Sequence, residues 1–128
     1  MSPDCFVTYL PDRSAYQWVT RGREEAVARR ERGHEAWALW ALGEIEEQQH
    51  PADPNRSSTH YSQALAIATE LGMRPLAARC HLALATKHRA TDPRTAQQHL
   101  TIAATMFRDM DMRFWLEKAE AASTELGA

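Results

Sequence analysis

Cysteine, glycine and long apolar runs are all scarce in this chain. Two cysteines among 128 residues, Cys5 and Cys80, lie far apart without a CxxC spacing. Free thiols in a reducing compartment are therefore expected, and a disulfide has no positive support. No apolar stretch approaches the ~20 residues of a membrane-spanning helix. The first residues, Met1-Ser2-Pro3-Asp4-Cys5, lack the basic and apolar regions of a signal peptide. The expected setting is the cytoplasm. The net charge of −2 gives no bulk attraction to nucleic acid or anionic membrane. β-Branched residues are sparse, which argues against strands. The remaining composition, 44% apolar and 25% charged, is that of a globular chain able to bury one core.

Alanine, leucine, glutamate, glutamine and arginine dominate from about Arg13 onward, so the chain reads as helical. Residues 1–12, punctuated by Pro3 and Pro11, read as irregular. Breaks are expected at Arg21-Gly22, weakly at Gly33, at His50-Pro51-Ala52-Asp53-Pro54-Asn55, at Leu71-Gly72-Met73, at Thr91-Asp92-Pro93 and at Asp109-Met110-Asp111. Asp92 and Asp111 are the expected N-caps at the last two. The expected helices cover about 23–32, 34–49, 56–71, 74–90, 93–108 and 111–126, with a short one near 13–20. Long helices with short connections favour antiparallel hairpins.

The sequence also repeats itself. Trp37-Ala38-Leu39-Trp40-Ala41-Leu42-Gly43 matches Cys80-His81-Leu82-Ala83-Leu84-Ala85 with an offset of 42, and Tyr61-Ser62-Gln63-Ala64-Leu65 matches Leu100-Thr101-Ile102-Ala103-Ala104 with an offset of 39. A small residue after leucine on one helix lets the next helix approach. A large residue followed three positions later by alanine fills the gap. This is the packing logic of tetratricopeptide (TPR) repeats, with a period longer than the usual ~34.

Longer strings narrow the resemblance. Ala68-Thr69-Glu70-Leu71-Gly72-Met73-Arg74-Pro75-Leu76, Cys80-His81-Leu82 and the run from Met106 through Glu120 resemble the C-terminal TPR region of large bacterial signalling proteins. Those proteins place a nucleotide cyclase or regulatory domain and an AAA-type ATPase domain ahead of the TPR array. The resemblance spans residues 33–126. It implies an all-α, TPR-like α-solenoid of antiparallel helical hairpins with a C-terminal capping helix. Ser57, Ala85 and His88 depart from the family's usual alanine, glycine and tyrosine, and the turn through Asp92-Pro93 is one residue shorter. Agreement fades before Gly33, so residues 1–32 read as an irregular segment and a degenerate first repeat, and 33–128 as the repeats plus cap. No GxxxxGK[ST] phosphate loop is present.

No catalytic, cofactor or metal site is expected. No two histidines share the i, i+4 spacing of a helical zinc pair. His81 and His88 are too far apart along a helix for one ion, and Cys80, His81 and His99 would converge only through unusual hairpin packing. Ser57-Ser58-Thr59-His60 fits helix capping better than nucleophilic catalysis. Glu44, Glu46 and Glu47 suit a solvated or peptide-binding face. The run Arg21, Arg23, Arg29, Arg30, Arg32 is interleaved with glutamates and reads as a solvated face. Met106, Phe107, Met110, Met112, Phe114 and Trp115 read as a staple holding the terminal helix.

First helices of TPR-like hairpins line a concave groove. Trp37, Trp40, Glu44 and Glu47 form that stripe in one repeat, and Arg79, Leu82, Thr86 and Arg89 form it in the next. Aromatic and arginine anchors are typical of interaction hot spots. Either tryptophan can instead belong to the core against the first repeat. The stretch carries no asparagine, so the asparagine–lysine grip some TPR proteins use on peptide C-termini is not supported. The expected function is a non-catalytic protein–protein interaction module taking a protein or peptide partner, with no nucleic acid or membrane. The alternative is a detached, self-associating fragment of a larger cyclase/ATPase–TPR regulator, giving a homo-oligomer.

Overall fold

Glycine alone does not break a helix here, and the weak break expected at Gly33 lies within one. Gly72, at φ +70°, closes one helix, whereas Gly22 lies inside another. The computed structural model describes residues 12–127, with side chains from residue 15. Among these, six helices occur and no strand: α1 (Asp12–Ala28), α2 (Arg32–Gln49), α3 (Pro54–Leu71), α4 (Arg74–His88), α5 (Pro93–Asp109) and α6 (Arg113–Gly127). Each packs on the next, and connections this short make neighbours antiparallel. The expectations for residues 1–11, Cys5 included, lie outside the described residues.

Two expected boundaries are corrected. Gly22 does not interrupt α1, because one glycine in a helix costs only about 1 kcal/mol and packing of α1 on α2 outweighs it. The expected short leading helices are therefore a single 17-residue one, as long as α5. Asp111 is not an N-cap. It sits at φ +55° and its N–H bonds Arg108 O, while Met112 N–H bonds Phe107 O. This paired pattern closes α5 as a Schellman motif. Asp92 does cap α5, accepting from Thr95 N–H at 3.2 Å, and Pro93 occupies the first turn.

The same left-handed closure recurs at Arg30 (φ 59°), Gly72 and Asp111, at spacings of 42 and 39 residues. An ion pair recurs with it: Arg32–Glu70 at 3.0 Å and Arg74–Asp109 at 3.6 Å. The repeat read from the sequence is thus a repeat of structure, and it reaches back to α1.

Packing follows the small–large pairing. A Cβ on Gly43 would lie 2.7 Å from Tyr61 Cε1, so the glycine is what admits the ring. One repeat later Ala85 meets Leu100 in a shared cluster with Ala96. Ala36, Leu39, Ala64, Ile67, Leu76 and Cys80 join α2, α3 and α4. Phe107, with Ala78, Ala103 and Ala119, joins α4, α5 and α6. The expected methionine-rich staple is there, with Phe107 at its centre, although Phe114 stays 62% exposed. The Cys80 thiol is fully buried and unpaired, and burial pushes its pKa up to about 12, leaving it unreactive. Among the described residues no helix is long and apolar enough to cross a membrane.

Candidate functional site

Alternate helices share one face. Residues at i, i+3/i+4 and i+7 lie on a single side of a helix. That spacing aligns Trp40, Glu44 and Glu47 on α2, Arg79, Leu82 and Thr86 on α4, and Trp115 and Lys118 on α6. Together with Ala83 these residues line one cavity of about 400 Å³. Six of the eight residues anticipated from the sequence meet there.

The other two do not line it. Trp37 stands at the rim, 39% exposed, edge-to-face on Trp40 with centroids 6.0 Å apart. It also borders a second hollow between α1 and α2. Arg89, the residue that caps α4, pairs with Glu125 of α6 at 3.2 Å. A further hollow is lined, among the described residues, by α1 alone, and one helix gives no converging walls.

Arg79 is the centre of the cavity. Its guanidinium carbon lies 4.3 Å from the Trp40 ring centroid, 4.5 Å from that of Trp115 and 5.7 Å from that of Trp37. The first two rings come from helices on either side of α4. Arg79 Nε and Trp40 Nε1 are shut from solvent without a hydrogen-bond partner. Burial lowers the Arg79 pKa, and nearby Glu44 opposes that shift.

The acidic wall is organised by Tyr61, reaching across from α3. Its hydroxyl lies 2.6 Å from Glu44 Oε1 and 2.9 Å from Glu47 Oε2. One hydroxyl proton cannot serve two carboxylates at once. Burial raises the Glu44 pKa, against the Tyr61 hydrogen bond that lowers it, and Glu47 adds repulsion. Burial and both carboxylates push the Tyr61 hydroxyl well above its ordinary value. Glu47 is balanced by Lys87 Nζ at 2.8 Å. Glu46 is separate from this wall: it is buried towards α3, 2.6 Å from His60 Nδ1 without hydrogen-bond alignment and 3.6 Å from Arg56 Nε.

Sequence reasoning missed Tyr61, Lys87, Trp115 and Lys118 as parts of this site. The signal for Lys118 was available. Trp37, Arg79 and Lys118 occupy one repeat position, at offsets of 42 and 39. Reading α6 as a cap stopped the register one repeat short.

Ser57, Ser58 and Thr59 do not cap α3. Their hydroxyls donate back to the Pro54 and Asn55 carbonyls, a common use of hydroxyls within helices. The histidines give a different result. His81 and His99 do converge, with Nδ1 atoms 2.9 Å apart, and His88 stacks on His99 with centroids 6.0 Å apart. No metal-holding group of three or more His, Cys, Asp or Glu exists among the described residues.

This pair is expected to make stability depend on pH. Burial, then His99, lowers the His81 pKa to about 4, and burial, then His88, lowers that of His99. The unfolded rings protonate near pH 6.5, so the unfolded state binds more protons below it and stability falls as pH drops from 6.5 towards 4. Discounted for solvent screening of a half-buried pair, the loss is about 1–2 kcal/mol. Denaturant titrations at pH 7 and pH 5 are expected to show it, and His81→Gln with His99→Gln to flatten the dependence.

No protein-family model, curated protein or solved structure matches the chain.

Proposed function

We propose that the chain is a TPR-like α-solenoid acting as a non-catalytic protein-interaction module, related to the TPR regions of bacterial signalling proteins. The groove formed by α2, α4 and α6 takes an extended segment of a partner polypeptide. One observation carries this reading: three alternate helices converge on a single hollow walled by tryptophan, arginine and paired acids. Stacked repeats present such shared faces to ligands, and Trp and Arg are the residue types that dominate binding energy.

The test needs a variant that fills the groove without touching the core. Thr86 is exposed, lines the hollow and makes only a hydrogen bond to the Leu82 carbonyl. Peptides selected against the wild-type chain from a random library are expected to bind Thr86→Trp at least tenfold more weakly. The thermal midpoint should move by less than about 2 °C, as for surface changes within ±0.5 kcal/mol. Equal affinity for both proteins would remove the groove assignment.

A further inference from the structure

We propose that Arg79 is a receptor for a carboxylate of the partner polypeptide, held edge-on between the Trp40 and Trp115 rings. This rests on the groove reading above and names the chemistry the groove selects.

The first argument is what Arg79 lacks. A guanidinium has five N–H donors. Among the described residues Arg79 makes no hydrogen bond and no ion pair, and its Nε is closed to solvent. The Nη1 and Nη2 groups are not shut off and have no protein acceptor either, so they are the donors an incoming acceptor fills. The guanidinium carbon lies over the Trp40 and Trp115 rings, 4.3 and 4.5 Å from their centroids, so indoles from two helices flank the cation. Among the Arg79 nitrogens only Nε is shut from solvent, so the Nη1–Nη2 edge of the fork is what the cavity can reach. That edge binds a planar carboxylate through two parallel hydrogen bonds. A flat ligand continues the plane of the guanidinium between the same two rings, whereas a tetrahedral oxyanion does not.

The second argument is charge complementarity. The acids of the cavity are already served: Glu47 by Lys87, and Glu44 by the Tyr61 hydroxyl. Arg79 makes no ion pair, although the Glu44 charge acts on it. Among the described residues, Lys118, on the same rim, is placed only against the Phe114 and Trp115 rings. With Lys87 paired to Glu47, the cavity holds two further cations, Arg79 and Lys118, against one acid, Glu44, so an acidic group is what would balance it. Glu44 lies near enough to weaken an incoming anion, which makes it the natural control.

A random peptide library is prepared in two forms, with a free carboxyl terminus and with a terminal amide. Binding to the full chain at pH 7 is followed by tryptophan fluorescence, since three of the four tryptophans surround Arg79. The strongest binders are expected to carry a carboxylate, and converting it to an amide should weaken binding at least tenfold. Whether that carboxylate is a side chain or the chain end is read from which library form supplies the binders. In Arg79→Gln the acid-to-amide penalty should fall below twofold. In Arg79→Lys, which keeps the charge without the fork, it should fall to about threefold. Glu44→Gln should tighten acidic binders about threefold. An unchanged penalty in both Arg79 variants, or strong binders without any carboxylate, overturns the receptor while peptides blocked by Thr86→Trp still support the groove. Peptides indifferent to Thr86→Trp, or a library without binders, overturn both.

Discussion

Gly43→Val is expected to destabilise the chain by about 3 kcal/mol, at the upper end of the usual cost of overpacking, and to lower the thermal midpoint by about 10 °C. A Cβ at this position would meet Tyr61 Cε1 at 2.7 Å, Cδ1 at 2.8 Å and Cζ at 3.0 Å. The ring has nowhere to go: Tyr61 is fully buried and its hydroxyl is tied to Glu44 and Glu47. Relief requires α2 and α3 to separate, which also breaks the acidic wall of the groove. The equivalent pair one repeat later supplies the control. There Ala85 meets Leu100, so alanine is compatible with leucine where it is not with tyrosine. Gly43→Ala should therefore cost less than valine, because helix propensity returns about 1 kcal/mol. Tyr61→Leu should be less harmful in the Gly43→Ala background than alone. Chemical denaturation of the four proteins of this cycle gives the coupling directly. A cycle with no coupling would mean that the glycine does not set the approach of the two helices.

That pairing was legible because it is written in side-chain volume at fixed spacing. Leu42-Gly43 with Tyr61 and Leu84-Ala85 with Leu100 carry complementary sizes at matching positions. The helix ends were less legible, for a reason of backbone chemistry. The left-handed closures of α1 and α5 fall on Arg30 and Asp111, not on glycine, and a non-glycine residue does not announce positive φ. Gly22 erred the opposite way, since a glycine within a helix that packs on α2 is tolerated. The groove divides similarly. Its α2 and α4 stripes follow from the repeat register. Its α6 wall required that register to continue through a helix read as a cap. The junction of Tyr61 with the two glutamates depends on how closely α3 lies against α2, which the sequence expressed only through Gly43.

Phe107→Ala is expected to cost about 4 kcal/mol, within the range for removing a buried aromatic ring. Phe107 is fully buried and holds α4, α5 and α6 together through Ala78, Ala103 and Ala119. Its ring stacks on Trp115 with centroids 6.1 Å apart and planes at 23°. Losing it removes the support of a tryptophan that in turn covers Arg79. In a stack where each helix packs mainly on its neighbours, stability is close to a sum of local terms. The damage should therefore appear first as fraying of α6, ahead of the α2–α3–α4 core around Leu39, Ile67 and Leu76. Two transitions are expected in place of one: an early change in tryptophan fluorescence as Trp115 leaves Arg79, then the loss of helical circular dichroism. Ile102→Ala, at a position 44% exposed on the same helix, should stay within about 0.5 kcal/mol and keep one transition. Groove ligands should lose affinity for Phe107→Ala at temperatures where most of its helix persists, because only the α6 wall has melted. Coincident fluorescence and dichroism transitions in Phe107→Ala would instead show one cooperative unit, with the α6 wall as firmly fixed as the core behind it.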